Sequence, residues 1–400
     1  MKIFNQLNNR SVIPYGRQNI TKSDISSVRR VLKSNYLTQG PLVLEFEKKF
    51  AKYVGAKYAV SVTNGTAALH LGALALGVDK NSKIITTPIT FAASANCIRY
   101  CGGEVIFSDV NSSTATLDLD KLYNLLKLSP KGTYQGVIPV DLAGYPVDTE
   151  KLRKIADEYG LWIMEDACHA PGEYFTDSKG VKQLCGNGVY SDLTVFSFHP
   201  VKHITTGEGG MITTNNEKLY KKLLTLRTHG ITKDLKELTQ NHGGWYYEMQ
   251  ELGYNYRLPD ILCSLGISQL ERAEVNIKKR REIANQYDKA FNDIESIEIL
   301  SGNNQELLDK GVGHAYHLYI IRTKKRAELY SYLHSHNIFT QVHYIPLNKM
   351  PYYQLLSAKT NSSYNAEIYY EECLSLPMYP SLKKKQQKFV IKKVKEFFKK

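Results

Sequence analysis

The 400-residue chain is 42% hydrophobic, enough for a sizeable core in two or three domains, and carries a net charge of +13. No run approaches the roughly 20 apolar residues of a membrane span, and the N-terminus, MKIFNQLNNRSVIPYG, lacks an apolar stretch of signal-peptide length, so a globular cytoplasmic enzyme is expected. Nine Lys against one Glu in residues 383–400 put eight of the thirteen net charges in that segment. It reads as a helix with Phe389, Val390, Val394, Phe397 and Phe398 inward and lysines outward, so neither nucleic acid nor membrane is the expected partner. The six cysteines show no C-x-x-C and the histidines no zinc spacing, so no metal is expected. Cys97 and Cys101, four apart on a predicted helix, read as buried thiols.

Thr21 and Asp24 form a capping box that opens a helix with Ile25, Val28, Val31 and Leu32 on one face, and Leu44, Phe46, Phe50 and Val54 mark a second helix closed by Gly55. From there strands and helices alternate: strands at 59–62, 83–87, 105–109, 137–141 and 161–165, with helices at 67–76, 92–101, 119–126 and 149–159 between them. That alternation predicts an α/β fold with a mostly parallel, doubly covered sheet. Thr63-Asn64-Gly65-Thr66 turns a strand directly into a helix, and unpaired N–H groups at such a helix start make an anion site. No G-x-G-x-x-G follows a strand, so a nicotinamide cofactor has no support. The strand ending at Glu165 delivers Asp166 to the carboxyl edge, where open α/β sheets bind ligands.

Ser191–Asn215, SDLTVFSFHPVKHITTGEGGMITTN, holds Lys202 in a tight excursion between two apolar strands. A lysine of pKa about 10.4 is a poor nucleophile at neutral pH, and an apolar strand end supplies the desolvation that activates one for Schiff-base chemistry. A helix at 217–229 follows, then an unpatterned polar stretch, 231–254, of a length that compact domains keep for function. Asp260 is expected to cap one long helix to about Phe291. Strands at 315–322 and 340–345, a helix at 325–336 and the terminal helix complete a smaller α+β unit. The expected division is an N-terminal arm at 1–20, a large domain at 21–262 and a small domain at 263–400.

SFHPVKHITTGEGG, N-G-T-A-A-L, EDACHA and GYNYRLPD together resemble the pyridoxal-phosphate (PLP) sugar aminotransferases of the DegT/StrS family, over most of the chain from Pro14 to about Pro346. The resemblance implies fold-type-I architecture, PLP as cofactor, and a homodimer with shared active sites. It implies Lys202 as the residue bonded to PLP and as proton carrier, and Asp166 as the partner of the ring nitrogen. Gly65, Thr66, Ala67 and Ser197 would hold the phosphate, Phe91 would stack on the ring, and His169 would lie on its far side near the phenolic oxygen. Asn255 would reach the neighbouring subunit's phosphate, and Tyr15, Asn35 and Arg257 would contact substrate. His199 and His203 read as packing or turn residues. The wording of the motifs is most similar to members that aminate a UDP-linked 4-keto-6-deoxy-N-acetylhexosamine for pseudaminic acid biosynthesis, with L-glutamate as donor. Two other readings use the same scaffold: a PLP sugar dehydratase, in which histidine replaces the lysine and for which His203 is the adjacent candidate, and a non-catalytic regulatory or binding member.

Overall fold

The computed structural model describes residues 12–356 and 364–399. The first eleven residues of the expected arm, and Lys400 of the expected terminal helix, lie outside the described residues. Among the described residues, seven strands form one sheet: β1 (Tyr58–Val62), β2 (Lys83–Thr86), β3 (Glu104–Phe107), β4 (Gly136–Ile138), β5 (Trp162–Asp166) and, after the ribbon β6 (Tyr174–Thr176) and β7 (Lys182–Leu184), β8 (Leu193–Ser197) and β9 (Gly210–Thr214). Their spatial order is β1-β9-β8-β5-β4-β2-β3, and only β9 runs against the rest. The expected mostly parallel sheet is present. β8 and β9 pair antiparallel with Ser197 opposite Gly210, which makes the Lys202 segment a wide hairpin at the sheet's carboxyl edge.

Helices cover both faces, which is why the strands are continuous apolar runs. On one face the helices Gly65–Ala75, Ala93–Tyr100 and Glu217–Arg227 pack on Val60, Ile84, Ile138, Leu193 and Ile212. On the other, Leu119–Lys127 and Thr149–Tyr159 cover Ile85, Val137 and Ile163, while Pro41–Val54 and Asp260–Leu270 close around Phe46, Phe50, Phe196 and Phe198. The 231–254 stretch is tied by a short ribbon, β10 (Ile231–Thr232) with β11 (Glu248–Met249). A second core lies between the sheet of β12 (Glu298–Ile299), β13 (Tyr319–Arg322) and β14 (Cys373–Leu376) and the helices Ala273–Phe291, Arg326–Ser335 and Lys384–Phe398.

Several expectations are corrected. The Thr21/Asp24 capping box is present, but the helix Lys22–Val31 turns Asp24, Ser27 and Val31 inward and leaves Ile25 61% and Leu32 59% exposed. Its inner face is polar because its neighbour is polar: Ser268, Gln269 and Arg272 all bond the Asp24 carboxylate, and Ser27 bonds the Ser264 carbonyl. Asp260 is no cap, since its carboxylate accepts the Gly40 N–H at 3.0 Å. The long helix breaks at Glu271–Arg272, where Arg272 turns to Asp24. Residues 340–345 form no strand, only a single bridge at Gln341. The terminal helix docks through Gln387, Val390 and Val394 with Phe397 and Phe398 half-buried, whereas Phe389 is exposed among the lysines. Cys97 is buried and Cys101 half-buried.

Candidate active site

The carboxyl ends of β2, β4, β5 and β8 and the start of the helix Gly65–Ala75 surround a cavity of about 790 Å³, a size suited to a cofactor with a substrate. The second core closes it with His317, His343 and Tyr344, and the N-terminal segment contributes Tyr15. Of the residues expected in the site, Gly65, Thr66, Ala67, Phe91, Asp166, His169, Ser197, Lys202 and Tyr15 all line this one cavity.

Asp166 is the last residue of β5, and its carboxylate is held from two sides. Ser94 Oγ donates to Oδ2 at 2.5 Å and the Cys168 N–H to Oδ1 at 3.2 Å. Ser94 is in turn bonded to Thr90 Oγ1 at 2.7 Å, four residues earlier in the bend that leads into the helix. Burial pushes the Lys202 ammonium below its ordinary pKa, while Cys168 and Asp166 pull it partly back. The lysine therefore releases its proton more readily than one in water, as a nucleophilic amine requires.

Four neutral imidazoles back this lysine. Burial, reinforced by the charge of Lys202, holds His169 and His317 well below the ordinary histidine pKa, and burial together with the nearby Arg280 does the same for His203. Burial and Lys202 bring His343 to about 3. The His169 and His317 rings lie 4.3 Å apart. The Ala143 N–H donates to His169 Nδ1 at 3.2 Å, so the ring proton is on Nε2, which faces Tyr344 Oη at 3.2 Å. His203 packs as expected, with Nε2 on the Ala315 carbonyl, and His199, exposed at the cavity wall, is the expected turn residue, its carbonyl accepting the Lys202 N–H at 2.9 Å.

The other end of the cavity is built for an anion. The Gly65 and Thr66 N–H groups open a helix and have no acceptor within it. Close packing holds them there: a Cβ on Gly65 would come 2.9 Å from Ser197 Cβ, and one on Gly210 2.5 Å from the Asn64 carbonyl oxygen. The Ala67 N–H is already taken by the Asn64 side chain at 2.8 Å, so Ala67 lines the cradle without a free donor.

Three expected contacts are not brought together with the rest. Asn35 is exposed outside the cavity. Asn255 is exposed and accepts from Arg257 Nε at 3.0 Å, and neither lines this chain's cavity, because Tyr256 between them turns inward to His70. Reading the sequence also missed Ser94, His317, His343 and Tyr344. Ser94 had a local signal, its spacing of four from Thr90 beside the strand end. The other three come from more than a hundred residues beyond Lys202 and had none.

PLP needs an anion cradle, a carboxylate for its ring nitrogen, a reactive amine and flat walls. Gly65, Thr66 and Ser197, then Asp166, then Lys202, then Phe91 and His169 are groups of those kinds around one cavity, so the residues fit the cofactor. A family model for DegT/DnrJ/EryC1/StrS aminotransferases matches residues 18–395. The Campylobacter jejuni (serotype O:2) UDP-4-amino-4,6-dideoxy-N-acetyl-beta-L-altrosamine transaminase is 37% identical over 381 residues, covering 95% of this chain and 96% of its own. Helicobacter pylori PseC, an aminotransferase involved in the biosynthesis of pseudoaminic acid, superposes with a TM-score of 0.84 at 31% identity over 97% of this chain and 99% of its own. The Streptococcus pneumoniae protein Spr1654 in its PMP-form superposes with a TM-score of 0.86 at 28% identity over 97% and 99%, and its PLP-form is also solved. From residue 18 to residue 395 the chain belongs to the DegT/DnrJ/EryC1/StrS family of PLP-dependent sugar aminotransferases.

Proposed function

We propose that the chain moves an amino group from L-glutamate to the 4-keto carbon of a UDP-linked 6-deoxy-N-acetylhexosamine, giving the 4-amino sugar of a pseudaminic acid-type pathway. The observation that carries this is the cavity itself, which joins a desolvated lysine, a doubly bonded strand-end aspartate and an anion-binding helix start. In this reading Lys202 holds PLP by its amine, Asp166 holds the ring nitrogen, and Gly65, Thr66 and Ser197 hold the phosphate. Phe91 covers one face, and His169 keeps to the other beside the phenolic oxygen. Bound there, PLP supplies an electron sink for the bond broken at the amine-bearing carbon. Lys202, once its amine is free, carries the proton between carbons, and its lowered pKa suits that task. Tyr15, on the cavity wall beside His343, is assigned to the sugar.

Asn255 and Arg257 we assign to the neighbouring subunit's site in a homodimer. What supports this is their absence from their own cavity and the exposed apolar surface nearby: Trp245 is 74% and Leu252 77% exposed in the preceding loop, and Ile25, Leu32 and Leu44 are 49–61% exposed on the N-terminal helices. Asn35 lies on the same exposed segment and goes with them. Among the described residues no helix is long and apolar enough to cross a membrane, and we assign the enzyme to the cytoplasm. The division into an arm (1–20), a large domain (21–262) and a small domain (263–400) belongs to the same reading.

The reading is tested by offering both 4-keto epimers of the UDP-linked sugar with glutamate and resolving the products by NMR. Turnover confined to the other epimer, or to a dTDP sugar without the acetamido group, contradicts the substrate assignment. A dehydrated product without nitrogen contradicts transamination.

A further inference from the structure

Directly behind Asp166, on the side of β5 away from the cavity, four acidic or thiol side chains converge. Asp141 follows β4, Glu165 is on β5, Glu173 follows the EDACHA turn, and Cys185 follows β7. Each offers one ligand atom, and these atoms lie within 4.8 Å of one another. All four are sealed: Asp141 0%, Glu165 6%, Glu173 1% and Cys185 9% exposed. Among the described residues no Lys, Arg or His side chain hydrogen-bonds to any of them. Inside the cluster the Cys185 thiol donates to Asp141 Oδ2 at 3.7 Å; the other bonds they accept are from neutral groups on the periphery, the Val147 N–H to Asp141 Oδ1 at 3.2 Å, and Thr194 and Ser191 hydroxyls to Glu165 Oε2 at 2.9 and 3.4 Å.

A second observation points to a missing positive partner. Glu173 Oε2 is fully buried and has no hydrogen-bond partner, so an ionised Glu173 would carry an uncompensated desolvation cost there. Beside it, Glu165, Glu173 and Cys185, but not Asp141, border a void of about 10 Å³, room for about one small particle.

We propose that Asp141, Glu165, Glu173 and Cys185 form a closed, structural zinc site. Three carboxylate oxygens with one thiolate are a four-donor set, which suits tetrahedral zinc. Ca²⁺ takes six to eight oxygen ligands and Mg²⁺ usually retains several waters, whereas this cluster offers four buried donors, one of them sulfur. Ligands around zinc sit roughly 3.3–3.7 Å from one another, so a pair near the 4.8 Å limit would draw in by about 1 Å on binding. The hydroxyls of Ser191 and Thr194 and the Val147 amide then act as the outer groups that orient the ligands. Because Glu165 and Asp166 are consecutive on β5, and the Asp141 N–H bonds the Asp166 carbonyl at 3.2 Å, the ion pins the strand end that presents Asp166 to the cavity. Its role is positioning, and the reaction takes no step through it.

The test uses full-length, tag-free protein dialysed against metal-free buffer. Elemental analysis should find about one zinc per chain, and X-ray absorption at the zinc edge should fit three oxygens and one sulfur. A strong chelator should lower Tm by about 5 °C, with added Zn²⁺ restoring it. Glu173→Gln and Cys185→Ser should each lower zinc affinity by at least about tenfold, on the scale of losing a zinc ligand or its support. The wild-type chelation and reconstitution arm stands even if a variant fails to fold. Zinc-free protein whose Tm does not move with added Zn²⁺ overturns the proposal and assigns the cluster to shared protons, and zinc retained equally by the folded Cys185→Ser and Glu173→Gln variants overturns it as a surface adduct.

Discussion

Ser94 Oγ donates to Asp166 Oδ2 at 2.5 Å, so the aspartate that faces the cavity is oriented by a hydroxyl from the helix after β2. A hydrogen bond to a charged group contributes about 1.5–3 kcal/mol, and its loss leaves a buried carboxylate oxygen without a donor. Ser94→Ala is expected to lower kcat by about tenfold or more while the protein keeps its fold and binds PLP. Steady-state kinetics with the cofactor absorbance as a loading control checks this; unchanged kcat contradicts the role given to Ser94.

The buried imidazoles set an acid limb on stability. His317 is held well below its ordinary pKa by burial first and by His169 and Lys202 next. Below the unfolded value of about 6.5 the unfolded chain then binds a proton that the folded chain refuses, so stability is lost as pH falls from about 6.5. His317→Leu removes that proton linkage, and every other titrating group is common to both proteins. Denaturation at pH 8, 6 and 5 should show the difference between variant and wild type moving in the variant's favour as pH falls. A difference independent of pH contradicts a neutral buried His317.

The polar face of the first helix makes a different prediction. Asp24 is fully buried, and Arg272 bonds both its oxygens at 2.9 Å. Arg272→Ala leaves that carboxylate with only Ser268, Gln269 and the Thr21 cap, and should destabilise the protein by about 2–4 kcal/mol, near the cost of breaking a buried pair. Urea unfolding reads it directly. A change under about 0.5 kcal/mol, the size of an exposed pair, contradicts the assignment.

If Asn255 works in the neighbouring subunit's site, mixing Lys202→Ala with Asn255→Ala subunits puts both lesions in one site of the hybrid and leaves the other whole. Hybrids should recover activity that neither parent has. Hybrids no more active than the parents contradict the shared site.

Much of this was legible in the order of residues. The strand–helix alternation carried the sheet, and the break in the apolar run at Lys202 carried the centre of the site, because both depend on local patterning. What was not legible depended on distant partners. Ile25 and Leu32 read as an inner face by period, yet the helix beneath them presents serine, glutamine and arginine, so the buried side is the one with Asp24. Asp260 has the residue type of a cap, but Gly40 uses its carboxylate. His317 and Tyr344 enter the cavity from the second core, and nothing in their own neighbourhoods marks them. The Asp141, Glu165, Glu173 and Cys185 cluster draws on four segments with no shared spacing, so its convergence was not legible in the order of residues.

Lys202, in the hairpin between β8 and β9 with Asp166 and Cys168 beside its ammonium, is the amine proposed to bond PLP. Borohydride reduction of the PLP-loaded enzyme, followed by proteolysis and mass spectrometry, fixes the cofactor to whichever lysine holds it. The predicted result is a single reduced pyridoxyl label on the peptide containing Lys202. A label on any other lysine, or none on protein that carries the visible band of bound cofactor, contradicts the account.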